Sequence, residues 1–341
     1  MTALLVITGT ILTIAVLALV YRIITLVGIA KGDSEQKVGT SNKINAILFP
    51  ILFFLGFGGI FWYSGIAQEY FLPEAASIHG KETDQLFWVT MGVVFAAFMI
   101  THILLFFFPF IYQYNEKRPA HFYPHNDKLE IIWTIVPALV MTGLVLSGWS
   151  LWSEITSPAS DDAVKVELMG KQFAWEIRYP GKDQDLGRYS VKNVDATNSM
   201  GIDFNDKSSY DDFTAREIYL PKGKEVELNI RALDVLHSVF MPHFRVKMDA
   251  VPGMPTRFKF TPTTTTKEMR EKLNNPKFNF ELACTEVCGY GHFGMRKVIV
   301  VVEPEEYEVW VASQTPWSEK NADYVSEWKA KKAEKAAVAK N

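Results

Sequence analysis

The segment Glu281–Met295 reads ELACTEVCGYGHFGM and holds both cysteines of the chain, Cys284 and Cys288, followed by His292 and Met295. Four chemistries use parts of such a set. A disulfide closing so small a loop would restrict little of the unfolded chain and would leave His292 and Met295 unexplained. Zinc favours Cys and His in pairs and does not ordinarily take a thioether. An iron–sulfur cluster ordinarily wants four thiolates, which this sequence does not have. Thiolate, imidazole and thioether together are the ligands of electron-transfer copper. A mononuclear blue-copper site uses one Cys, two His and a weak axial Met, and Cys284 is then surplus. Two thiolates on one loop can instead bridge two copper ions, each completed by one His and one weak ligand. The second imidazole must come from elsewhere, and His237 in LDVLHSVFMPHF is the candidate. A delocalised copper pair would change geometry little on reduction, which suits rapid electron transfer.

The elements around these residues divide the chain in two. From about residue 162, short β-rich segments such as AVKVELMG, QFAWEIRY, EVELNIRAL and KVIVVVE alternate with YPGKDQDLG, PKGKE and VPGMP, a spacing that predicts an antiparallel sandwich or barrel. The polar stretch near 181–212 reads as an inserted surface loop without a core of its own. After Pro316 the chain turns to Lys, Glu and Ala, and residues 315–341 are expected as a solvated helix or tail. The first 153 residues instead hold four apolar runs of bilayer length, TALLVITGTILTIAVLALVY, INAILFPILFFLGFGGIFWYSGIA, LFWVTMGVVFAAFMITHILLFFFPFIY and IIWTIVPALVMTGLVLSGWSLW. The first lacks the basic segment that precedes the apolar run of a signal peptide, so it is expected as an uncleaved helix with its N-terminus outside. The class is therefore an α+β membrane protein, with four N-terminal transmembrane helices ahead of a soluble β domain. A net charge of -3 gives no basic field for nucleic acid.

Loop charges set the orientation. Arg22, Lys31, Lys37 and Lys43 flank the first connection and Lys117, Arg118 and Lys128 the third. Between them Lys81 stands against Glu69, Glu74, Glu82 and Asp84. Positive charge marks the cytoplasmic side, so the domain after Trp152 faces the periplasm. His102 falls inside the third run, where a polar side chain needs a partner, expected on a neighbouring helix or subunit.

DVLHSVFMP, RVKMDAVPG and CTEVCGYGHFGM, with HNDKLEIIWTIVPA at the entry to the fourth run, closely resemble subunit II of haem–copper cytochrome c oxidases over nearly all of residues 85–314. The resemblance implies a cupredoxin-like domain over 154–314, a two-helix hairpin over 67–153, and two additional helices over 1–66 that the family does not usually have. It implies that His237, Cys284, Cys288, His292 and Met295 bind two coppers, with Glu286 contributing its backbone carbonyl and, through its carboxylate, reaching magnesium at the border with subunit I. It implies haem only on partner subunits. Glu130 matches the position at the mouth of a proton channel into subunit I; an acidic residue favoured by the helix N-terminal dipole is the bland alternative. The family commonly has a tryptophan where this sequence reads Phe173 in GKQFAWEIRYPG, and Phe173 with nearby Trp175 are the candidates for electron entry.

The implied role is the electron-entry subunit of a proton-translocating terminal oxidase in a bacterial inner membrane. Its donor is a periplasmic cytochrome c, or a cytochrome c domain of a neighbouring respiratory complex, because the sequence lacks the Cys-x-x-Cys-His of an attached haem. Two other readings use the same ligand types: a membrane-anchored copper carrier and a mononuclear copper electron-transfer protein.

Overall fold

The computed structural model describes residues 2–31, 40–115 and 117–338; Lys37 of the first connecting loop lies outside them. The four apolar runs form α1 (Thr2–Ala30), α2 (Thr40–Ala67), α3 (Ile78–Ile111) and α4 (Asp127–Thr156), each long and apolar enough to cross a membrane. At 1.5 Å per residue each exceeds the roughly 30 Å of a hydrocarbon core. Pro50, Pro109 and Pro137 lie inside these helices, as membrane helices tolerate.

The chain forms two compact units, one of residues 1–69 with 93–127, the other of 70–92 with 128–341. In the first, α2 and the later half of α3 share an aromatic seam. Phe53 packs on Phe107 at 5.4 Å and Phe57 on Phe98 at 5.4 Å between ring centroids. His102 belongs to this seam, with its ring 3.8 Å from that of Phe98. Among the described residues its polar partner lies one turn back on its own helix rather than on a neighbouring one: Nδ1 bonds the Phe98 carbonyl at 2.8 Å. The tight turn of a helix offers that carbonyl without any tertiary contact. The described side chains of α1 are largely exposed.

The second unit is built on two five-stranded sheets. One has the order β3 (Phe213–Ala215), β2 (Ala174–Tyr179), β1 (Val164–Lys171), β5 (Val226–Ala232), β8 (Thr256–Phe260). The other runs β4 (Ile218–Pro221), β10 (Arg296–Val302), β9 (Phe280–Cys284), β6 (His237–Met241), β7 (Val246–Ala250). The sandwich is mostly antiparallel as expected, except that β1 pairs with β5 and β4 with β10 in parallel, through long crossovers. Strand periodicity supplies the core: β5 buries Val226, Leu228 and Ile230, and β9 buries Phe280, Leu282 and Cys284. Each buried Val, Leu, Ile or Phe side chain among these contributes about 1.5–3 kcal/mol of burial. Ile155 at the end of α4 and Ala76 just before α3 join this same core. Arg245 adds a forked pair to Asp84 of α3, at 2.7 and 2.9 Å.

The sheet also holds a buried ionic network. Glu167 of β1 meets both Arg178 of β2 and Arg231 of β5, and Arg178 continues to Asp212 at 2.8 Å. Arg231 donates onward to the Met200 carbonyl at 2.6 Å, tying the 181–212 insertion to the sandwich. The insertion shares a buried apolar cluster with the tail. Beyond the short helices α5 (Thr266–Lys272) and α6 (Pro304–Ala312), Trp317 of α7 (Trp317–Lys320) and Val325 of α8 (Ala322–Val338) are buried with Met200, Ile202 and Phe204. The tail is therefore a solvated helix on one face only, because its aromatic residues cover apolar groups that the insertion cannot bury alone.

Candidate metal centre

His237 opens β6 and Cys284 closes β9, adjacent antiparallel strands with Val239 opposite Cys284. The β9–β10 connection then folds back on itself, and the Cys284 N–H donates to the Met295 carbonyl at 3.1 Å. This closure brings four residues far apart along the loop onto one spot. The result is two matching half-sites. Cys284 Sγ faces His237 Nδ1 at 3.9 Å and the Glu286 carbonyl at 3.3 Å. Cys288 Sγ faces His292 Nδ1 at 3.6 Å and Met295 Sδ at 3.3 Å. The ligand atoms of His237, Cys284 and Cys288 lie within 4.8 Å of one another.

The pocket is dry. His237 and Met295 are 0% and 1% exposed, Cys284 and Cys288 8% and 5%, and no disulfide joins the thiols. Burial together with the neighbouring Cys284 pushes the Cys288 thiol up to about 11. Two adjacent thiols in such a place ionise together only around a cation, and two soft thiolates with imidazole and thioether are a copper set.

Surrounding residues fix the ligands. Asp234 Oδ1 accepts from His237 Nε2 at 3.0 Å, which leaves the Nδ1 lone pair facing Cys284. Asp234 is itself held by the N–H groups of Gln172 and Val235, each at 2.7 Å. Partial burial works against its charge, but these hydrogen bonds and His237 outweigh it and hold the carboxyl below its usual range. Gly170 admits the imidazole; a Cβ there would come within 2.8 Å of His237 Cδ2.

Phe173 lies at the tip of the β1–β2 hairpin, over the loop. Cβ atoms at Gly289 and Gly291 would meet its ring at 2.9 and 2.5 Å, and the ring is 41% exposed. Gln172 Nε2 donates to the Cys288 carbonyl at 2.6 Å and pins the hairpin to the loop. Trp175 is 1% exposed and meets the His237 ring edge-on at 5.9 Å. Glu130 is not part of the centre: it sits exposed in the first turn of α4, with roughly 37 Å of helix between it and Ile155. Asp234, Gln172, Gly170, Gly289 and Gly291 were not singled out by sequence reasoning. Asp234 carried a usable signal, a carboxylate three residues before the candidate histidine; the glycines become meaningful only once Phe173 and His237 have a place.

A family profile described as the transmembrane domain of cytochrome c oxidase subunit II matches residues 65–151, and one described as its periplasmic domain matches 164–302. The alternative cytochrome c oxidase subunit 2 of Bradyrhizobium diazoefficiens is 32% identical over 259 residues, covering 74% of this chain and 84% of that protein. Cytochrome c oxidase subunit 2 of Cereibacter sphaeroides is 30% identical over 257 residues, 71% of this chain and 78% of that one. A crystal structure of the periplasmic domain of subunit II of cytochrome oxidase from Bradyrhizobium japonicum aligns with 46% of this chain and 94% of its own, at 26% identity and a TM-score of 0.31.

Proposed function

The chain belongs to the cytochrome c oxidase subunit II family, and on that premise we propose that it is the electron-entry subunit of a proton-translocating oxidase in a bacterial inner membrane. The observation that carries the reading is the pair of matching half-sites, each a buried thiol facing one imidazole and one weaker donor. Cys284 and Cys288, with His237, His292, Met295 and the Glu286 carbonyl, would hold a copper pair, which would supply one-electron transfer with little change of geometry. Asp234 keeps His237 in the binding tautomer, and the sandwich excludes water from both thiolates. The Glu286 carboxylate is free to reach magnesium at the border with subunit I.

Electrons enter from a separate cytochrome c, or a cytochrome c domain of a neighbouring complex, over the exposed Phe173 ring. Trp175 packs the inner side of His237. The electron leaves for haem in subunit I, where oxygen is reduced to water. Glu130, exposed at the start of α4, is suited to exchange protons with water at the cytoplasmic mouth of a channel. The burial of four of the ligand side chains favours a retained centre over the exchangeable site a copper carrier needs.

Rapid mixing of the oxidase complex with reduced cytochrome c tests this reading. The copper band is expected to bleach before the haem of subunit I is reduced, and Cys288→Ser is expected to abolish haem reduction. Haem reduction at an unchanged rate in that variant would overturn the electron-entry role.

A further inference from the structure

We propose that His79, Glu82 and Glu154 form a second metal site, distinct from the copper centre, that takes a divalent cation of the zinc type at the outer ends of α3 and α4. One imidazole nitrogen and one oxygen from each carboxylate lie within 4.8 Å of one another. His79 and Glu82 are three residues apart at the start of α3, so their side chains share a face. Glu154 comes from the last turn of α4. The three converge because the two helices meet side by side, with the Leu86 side chain of α3 within 3.9 Å of a Cβ built at Gly148 of α4.

The histidine is the unusual member. It is 7% exposed, its Nδ1 is sealed with no hydrogen-bond partner, and its Nε2 is aimed at Glu154 Oε1 from 3.5 Å. That distance exceeds a good hydrogen bond, so a buried imidazole stands here with little to engage it. A cation between Nε2 and the two carboxylates engages that nitrogen more closely than Glu154 does at 3.5 Å. The backbone beneath is fixed in advance. Thr83 Oγ1 donates to the His79 carbonyl at 2.7 Å, the Gly80 N–H donates to Ser77 Oγ at 2.9 Å, and Ser77 Oγ donates to the Phe244 carbonyl at 2.9 Å. A Cβ at Gly80 would meet Arg245 Cγ at 3.3 Å, so this turn is pressed against the sandwich. The imidazole is thus held in place, while the exposed carboxylates are free to close on an ion.

The donor set selects the ion. Two carboxylates neutralise a dication, and one nitrogen with two oxygens leaves room for water, as in zinc sites with three protein ligands. Calcium and magnesium take oxygen ligands throughout and gain nothing from His79. Because Ile155 and Ala76 belong to the sandwich core, a cation here ties the two helices together where they enter the copper domain.

The test uses the intact oxidase complex, stripped of loosely bound metal and dialysed against zinc chloride. The double variant Glu82→Gln/Glu154→Gln changes only exposed carboxylates, so it decides the matter even where His79→Gln disturbs folding. The wild type is expected to hold one additional zinc relative to the double variant, with an X-ray absorption first shell of nitrogen and oxygen only. Either single carboxylate variant should bind it measurably more weakly than the wild type, because each removes one of three protein ligands. Copper content and the rate of electron uptake should not change in any of these variants. Equal zinc content in wild type and double variant overturns the proposal, as does a zinc first shell containing sulfur.

Discussion

At the scale of single residues, the centre depends on which nitrogen of His237 carries its proton. Asp234 fixes this by accepting from Nε2. Asp234→Asn offers the ring a donor as readily as an acceptor, so copper affinity is expected to fall about 10–100-fold with the fold intact. Competition against a copper chelator measures this, and unchanged affinity would remove Asp234 from the account. Phe173→Ala is expected to slow electron uptake from reduced cytochrome c while leaving the copper spectrum unchanged, because the ring lies over Gly289 and Gly291 and is none of the ligands. Glu130→Gln is expected to slow steady-state turnover without affecting copper; full activity in that variant would end its assignment to proton uptake. The ligand types were legible in the sequence because donor chemistry survives without geometry: two Cys, a His and a Met within one loop admit few explanations. Their supports were not. Gly170 lies under His237, and Gln172 reaches the Cys288 carbonyl, only through strand register.

At the scale of elements, the buried ionic network on β1, β2 and β5 has a pH signature. Burial pushes Asp212 up to about 7, against the pull of Arg178 and the Gly187 N–H. Its folded value lies above its unfolded one, near 3.9. The folded state therefore holds a proton that the unfolded state releases, and stability falls as pH rises from about 4 to about 7. Thermal unfolding of the detergent-solubilised chain should show that slope, and Asp212→Asn should flatten it. A slope of the opposite sign in that window would contradict the burial account. Glu167→Gln leaves Arg178 and Arg231 without their shared carboxylate and is expected to cost about 3–5 kcal/mol. The strands themselves were legible from alternation and turn residues. The packing of α7 and α8 on the insertion was not, because Trp317 and Val325 stand among charged residues and find apolar partners only in the distant Met200–Phe204 segment.

For the whole molecule, the membrane spans were the most legible feature, since length and hydropathy are properties of contiguous sequence. Contacts between helices were not, because apolar runs resemble one another. The seam of Phe53 and Phe57 on Phe98 and Phe107 gives α2 a place against α3, whereas the described side chains of α1 remain exposed. Helices α1 and α2 are expected to dock on other respiratory subunits. Deleting residues 1–66 should reduce co-purification of oxidase partners without altering the copper signal, and unimpaired assembly would count against that role. In the proposed centre, Cys284 and Cys288 bridge two coppers. Electron paramagnetic resonance of the full-length chain, loaded with copper in detergent, tests it most directly. The expected spectrum shows hyperfine splitting from two equivalent coppers sharing one unpaired electron. Splitting from a single copper would contradict the account and return the loop to a mononuclear site with a spare thiol.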